Sequence, residues 1–195
     1  MSRYLETIKA VDGKVFHLEY HQQRYEKVLK SLGSTHYKKL QEYINPPKNG
    51  LFRCRALYSA DNISISYHEY EKRKIETLKI VYDDLIDYQL KAENRENLNS
   101  LYDKRESCDD ILIVKNRLLT DTTIANIALY KNGIWYTPKE PLLCGTTRER
   151  LLKNKKIVTK DIYIDDIFDY TKVALLNAMI DFDIIQKENI RGVIC

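Results

Sequence analysis

The chain has 195 residues, enough for one large domain or two small lobes. Hydrophobic residues make up 44% and charged residues 31%, the balance of a folded globular protein rather than a disordered one. The net charge of +4 comes from 32 basic and 28 acidic residues scattered along the chain, which argues against a nucleic-acid partner and suits a small anionic ligand.

The opening stretch "YLETIKAVDGKVFHLEYH" alternates around Asp12-Gly13 and predicts a hairpin, one strand running to Ala10 and the next starting at Lys14. In "HQQRYEKVLKSLG", Tyr25, Val28, Leu29 and Leu32 recur at helical spacing and Gly33 marks the stop. "HYKKLQEYI" predicts a second short helix ended by Pro46-Pro47, and "GLFRCRALYSADNISISYHEY" another hairpin turning near Asp61-Asn62. Within that hairpin Arg53 and Arg55 share one face, Cys54 and Ala56 the other.

The charged segment "EYEKRKIETLKIVYDD" predicts a boundary between a lobe over residues 1–80 and a second over 81–195. "IDYQLKAENRENLNSLYDKR" starts irregularly and turns helical through Leu98, Leu101 and Tyr102. "DDILIVKNRLLTDTTIANIALYKNGIWYTP" predicts three or four strands, with Ile127 and Leu129 on one face and Asn132-Gly133 as the strongest turn signal. "CGTTRERLL" reads as a loop opening a helix, and the remainder as a strand, a short helix and a final hairpin. There is no repeat and no low-complexity segment. The order predicts an α+β protein with a small N-terminal α/β lobe and a larger β-rich C-terminal lobe.

Cys54, Cys108, Cys144 and Cys195 stand far apart, with no CxxC pair and no histidine at ligand spacing. Neither a metal site nor a disulfide framework is expected, and a cytoplasmic location is the default. Arg3, Glu6 and Lys9 interrupt the opening residues, so no signal peptide is expected. No apolar run approaches the roughly 18 residues a membrane span needs.

Arg24 in "HQQR", Lys91 in "YQLKAENR", Asp121 in "LTDTTIAN" and the "CGTTR" segment form an ordered series. The series resembles the class IV aminotransferase-like (fold-type IV) pyridoxal 5′-phosphate enzymes, which include branched-chain and D-amino-acid aminotransferases and 4-amino-4-deoxychorismate lyase. The resemblance covers nearly the whole chain and looks closest to the compact lyases.

The resemblance makes Lys91, followed by Asn94 and Arg95 as in the lyases, the imine-forming lysine. That role needs an amine held in a partly desolvated, cationic setting; the alternative is a solvated lysine at a helix start. Asp121 matches the carboxylate facing the cofactor's pyridine nitrogen, a position more often Glu, and an ionised acid there keeps that nitrogen protonated. Its alternative is a turn residue after Thr120. Thr146 and Thr147 match the phosphate-contacting pair, and a helix N-terminus attracts anions through its unpaired N–H groups and dipole. Ile124 matches a position giving a backbone amide to the phosphate, and Arg24, after His21, matches the phosphate arginine. The alternatives are a simple N-cap for the threonines and a solvated helix arginine for Arg24.

Arg53 or Arg55 has the guanidinium geometry to grip a substrate carboxylate, and is equally compatible with an exposed strand arginine. Asn177 in "LLNAM" resembles the "NAL" segment of the lyases and is a third substrate candidate. Branched-chain aminotransferases usually carry a Gly-Thr-Ala loop there, which this chain lacks. The resemblance therefore implies a lyase releasing pyruvate from 4-amino-4-deoxychorismate, with an aminotransferase as runner-up and a non-catalytic relative as a third reading. It also implies a homodimer, with aminodeoxychorismate synthase as a possible partner.

Overall fold

Asp12 and Gly13, both at positive φ (46° and 79°), turn β1 (Tyr4–Val11) back into the short β2 (Lys14–Val15). The structure, a computed structural model, describes residues 2–195. The chain divides into two units, one ending at Lys72 but including Leu90–Asn94, the other formed by Arg73–Gln89 and Arg95–Cys195. With 23% helix and 34% strand the protein is α+β, as expected.

In the first unit α1 (Leu18–Ser31) follows β2, and β3 (Leu51–Tyr58) and β4 (Ile63–Glu69) complete a sheet of order β2-β1-β3-β4. β1 pairs with β3 over its whole length, from Tyr4 opposite Tyr58 to Val11 opposite Leu51. Ala56 and Tyr58 on one face of that pair pack with Tyr25, Val28 and Leu29 of α1. The helix ends where it is predicted to: Gly33 at φ 84° lets its N–H reach the carbonyl of Lys30 and the next N–H, of Ser34, that of Leu29. The predicted second helix over "HYKKLQEYI" shrinks to one 3₁₀ turn, Leu40–Glu42. Leu40 is its one fully buried residue, which leaves a longer helix without an apolar face to pack.

Residues 91–93 lie along the part of the β1 edge that β2 leaves open. The Leu5 N–H donates to the Lys91 carbonyl at 3.1 Å and the Glu93 N–H to the Arg3 carbonyl at 2.8 Å. A two-residue β2 is therefore what makes room for the lysine-bearing segment.

The second unit holds two sheets. β5 (Leu78–Tyr82), β6 (Asp110–Lys115) and β7 (Leu118–Leu119) form the smaller, with α2 (Glu96–Tyr102) setting Leu98 and Leu101 against Ile111 and Ile113. β8 (Asn126–Lys131) and β9 (Ile134–Pro138) are joined at Asn132-Gly133 as predicted, both at positive φ (51° and 82°). After α3 (Thr146–Lys153) come β10 (Val158–Lys160), β11 (Lys172–Asn177) and β12 (Asp181–Ile184), giving a sheet of order β10-β9-β8-β11-β12. The central strands β8 and β11 are buried on both sides. Ile127, Leu129, Val173 and Leu175 face the main core, whereas Ala128, Ala174 and Leu176 meet Leu151 of α3.

The expectation of no disulfide is overturned. Cys108 is bonded to Cys195, with Cα atoms 6.7 Å apart across a sequence separation of 87. The fold brings them together because the last residues run beside β5, where the Leu78 N–H donates to the Val193 carbonyl and the Cys195 N–H to the Leu78 carbonyl. Among the described residues no helix is long and apolar enough to cross a membrane.

Candidate active site

Glu6 sits on the inward face of β1, between Tyr4 and Ile8, and is fully buried. An isolated buried carboxylate is costly, so its partners explain it. The Arg24 guanidinium takes both of its oxygens, Nε to Oε1 at 2.7 Å and Nη2 to Oε2 at 2.6 Å, and His21 Nδ1 lies 2.7 Å from Oε2. Burial alone would raise the Glu6 carboxyl, but the Arg24 charge and the hydrogen bonds from His21 and Arg24 prevail and hold it at about 2. Burial also pushes the His21 imidazole down, against the pull of Glu6. A neutral ring beside a carboxylate carries its proton on Nδ1, which leaves Nε2 as an acceptor. Arg24 is thus no solvated helix arginine: it is 9% exposed and held in one plane by a bidentate pair.

Lys91 belongs to the same unit, and its charge is felt at His21. It is half-buried and non-helical, with φ at 52°, a conformation that costs a side-chain-bearing residue on the order of 1 kcal/mol or more. The alternative of a solvated lysine at a helix start does not describe it. The hydroxyl of Tyr58, 1% exposed, has no hydrogen-bond partner among the described residues.

The second unit carries Asp121, Ile124, Thr146, Thr147 and Asn177. Asp121 follows β7 and is 4% exposed, so it is not a surface turn residue. Asn126 Nδ2 donates to Asp121 Oδ1 at 2.7 Å and the Leu143 N–H to Oδ2 at 2.9 Å. Burial pushes the Asp121 carboxyl up to about 7, with those bonds and the nearby Arg148 charge pulling the other way. Arg148 is itself buried, its Nη2 donating to the Pro138 carbonyl at 2.8 Å.

α3 begins with Thr146 and Thr147, both buried, and its N-cap is Gly145, which has no side chain to offer. The threonines are therefore the first two helical residues and not the cap. The N–H groups of a helix's first turn have no intrahelical partners, so this terminus has donors for an anion. The Ile124 N–H points to Thr122 Oγ1 at 3.3 Å.

Of the substrate candidates, Arg53 is exposed and Arg55 half-buried, opposite Lys9 and Thr7 of β1. Alternation puts both on the face of the sheet opposite Glu6. Asn177 Oδ1 accepts from the N–H groups of Met179 and Ile180, and Nδ2 donates to the Ile124 carbonyl at 3.3 Å, so its amide closes the β11–β12 turn. Two residues received no role from the sequence alone. Glu6 was visible as an acid at an inward position of an alternating strand, and Asn126 as the last residue of "LTDTTIAN".

The profile of the amino-transferase class IV family matches residues 4–186. A match over that span makes the chain a member of the family, and its α+β architecture is the fold-type IV arrangement. The chain is similar to a putative 4-amino-4-deoxychorismate lyase from Haemophilus somnus 129pt, whose crystal structure superposes with a TM-score of 0.86 at 35% identity, over 92% of this chain and 97% of that one. It is 37% identical over 180 residues to an uncharacterized protein of Haemophilus influenzae, covering 89% of this chain and 96% of the relative. It is 29% identical over 195 residues to a putative aminodeoxychorismate lyase of Schizosaccharomyces pombe, covering 86% of this chain and 82% of the relative.

Proposed function

We propose that the protein is a pyridoxal 5′-phosphate-dependent lyase that converts 4-amino-4-deoxychorismate to 4-aminobenzoate and pyruvate. The observation that carries this reading is the whole-length likeness to the Haemophilus somnus protein, in a chain whose "LLNAM" segment has no Gly-Thr-Ala loop. The residues present fit the cofactor. An uncapped helix N-terminus starting at two buried threonines suits a phosphate, and a buried carboxyl with spare lone pairs suits a protonated ring nitrogen.

In this reading Lys91 would hold the cofactor through Nζ until the substrate's amine takes its place. When bound, the cofactor's ring draws electrons from the carbon bearing the substrate's amine, so that a proton there becomes removable. Once the substrate's amine has replaced Lys91 on the cofactor, the freed Lys91 amine would take that proton. Asp121 would keep a proton at the ring nitrogen, and the first N–H groups of α3 with Thr146 and Thr147 would hold the phosphate. Arg24, its plane fixed by Glu6, would be the phosphate arginine that the family resemblance implies. The C–O bond to the enolpyruvyl side chain would then break, the departing enolate would take up a proton on its methylene carbon to become pyruvate, and the remaining ring would become aromatic; the proton lost and the proton gained balance, so no other reagent is consumed. Aromatisation supplies the driving force, so the protein has mainly to orient groups and hold charges.

The test is to incubate the protein and cofactor with aminodeoxychorismate, following 4-aminobenzoate by fluorescence and pyruvate separately. Equal amounts of both products support the lyase. Amino transfer in a parallel panel of amino donors and keto acids, without 4-aminobenzoate, would favour the aminotransferase instead. No reaction and no cofactor binding would leave the non-catalytic reading. We also propose a homodimer, which light scattering would detect as twice the 23.1 kDa chain mass.

A further inference from the structure

We propose that Asn126 is a positioning residue that fixes the spacing between the acid for the cofactor's ring nitrogen and the helix N-terminus for its phosphate. The inference rests on the cofactor reading above and concerns a residue to which that reading gives no role.

Asn126 opens β8 and is 5% exposed. Its two Nδ2 hydrogens point in different directions, one to Asp121 Oδ1 at 2.7 Å and the other to the Leu143 carbonyl at 2.7 Å. The Leu143 N–H returns to Asp121 Oδ2 at 2.9 Å. The Asp121 carboxyl, the Asn126 carboxamide and the backbone of Leu143 thus form a closed ring of three hydrogen bonds. The remaining atom, Asn126 Oδ1, lies against Gly145, where an added Cβ would come within 2.0 Å of it. Gly145 is the N-cap of α3. One side chain therefore bonds the acid on one side and Leu143 on the other, with its oxygen packed against the residue before Thr146.

The chemistry of this position is narrow. Asp in its place would have no N–H to donate, Ser would be too short to reach both partners, and Gln would be one methylene too long. Gly145 is constrained in turn, because only a residue without a Cβ lets the amide pass. A rigid ligand with a protonated nitrogen at one end and a phosphate at the other gains from engaging both only if their receivers are held at the matching separation.

The test measures affinities of the full chain for pyridoxamine 5′-phosphate, pyridoxamine and inorganic phosphate, by calorimetry or NMR titration, with melting curves alongside. Pyridoxamine 5′-phosphate is chosen because it has no aldehyde to bond Lys91. Wild-type protein should bind it far more tightly than either half. In Asn126→Ala that affinity should fall about ten-fold or more, while inorganic phosphate and pyridoxamine each change less than about two-fold. Asn126→Ser and Gly145→Ala should show the same pattern, so that a folding failure of one variant leaves two others. Unchanged binding of pyridoxamine 5′-phosphate in the folded variants would overturn the proposal. So would an equal loss for it and for phosphate alone, which would make Asn126 a support of the phosphate end only. A wild-type protein that binds no pyridoxamine 5′-phosphate would instead overturn the cofactor reading, and this inference with it.

Discussion

Glu6 and Asp121 are both buried carboxyls, and they tie the stability of the cofactor-free protein to pH in opposite ways. Glu6 is held at about 2 against an ordinary 4.5. Its stabilisation is complete above about pH 4.5 and lost as the pH falls through 2, roughly 3 kcal/mol at ~1.4 kcal/mol per pH unit. Asp121 is raised from 3.8 to about 7, so the folded state keeps a proton that the unfolded chain releases. Stability therefore falls as the pH rises from about 4 to 7, by up to roughly 4 kcal/mol. Asp121→Asn should flatten that fall, and denaturant midpoints from pH 4 to 7.5 will read it; a slope identical to wild type would mean the carboxyl is not perturbed. Glu6→Gln leaves Arg24 buried without its counter-charge and should cost about 3 kcal/mol or more near pH 6, measured by urea unfolding. The alternation of β1 made Glu6 visible as an inward acid, yet its partners, 15 and 18 residues on, depend on how α1 docks and no local pattern states that.

Hairpins and caps were the legible elements because their signals are local. Asn132-Gly133 and Gly33 fix backbone angles within a few residues, independent of the rest of the chain. At Gly133 a Cβ would meet nothing within 4 Å, so Gly133→Ala isolates the cost of φ at 82°. That change should lower stability by about 1 kcal/mol, read as a shift in thermal midpoint. The segment around Leu40 misled for the opposite reason. Its polar and aromatic spacing mimics a short helix, but Gln22 of α1 takes the Leu40 N–H at 2.8 Å and anchors a single turn instead. For the candidate site, the order of the lysine, the acid and the glycine-led helix along the chain carried the expectation through the family resemblance. The ring joining Asp121, Asn126 and Leu143 was not legible, since it needs the hairpin of β8 and β9 to bring residue 143 back.

Over the whole molecule, the Cys108–Cys195 bond closes a loop of 87 residues in separation, encompassing β6 to β12. Constraining the unfolded chain over such a loop is worth on the order of 2 to 4 kcal/mol. Cys108→Ser should lose that amount in denaturant unfolding, and wild-type protein in reductant should match it. If reductant leaves the midpoint unchanged, the bond contributes nothing to stability. Cysteine spacing concealed this pair because the contact depends on the last residues lying beside β5, a long-range event. The mild positive charge suits an anionic substrate without selecting one.

Lys91 stands in a backbone conformation that glycine adopts readily and that any side chain resists. The backbone cost at this position can be separated from the side chain's own contacts by comparing two substitutions that both remove the amine. Lys91→Gly should unfold at higher denaturant than Lys91→Ala by about 1 kcal/mol, while neither variant retains cofactor after borohydride treatment. Between two variants that both lack the amine, the backbone alone would then decide which is the sturdier.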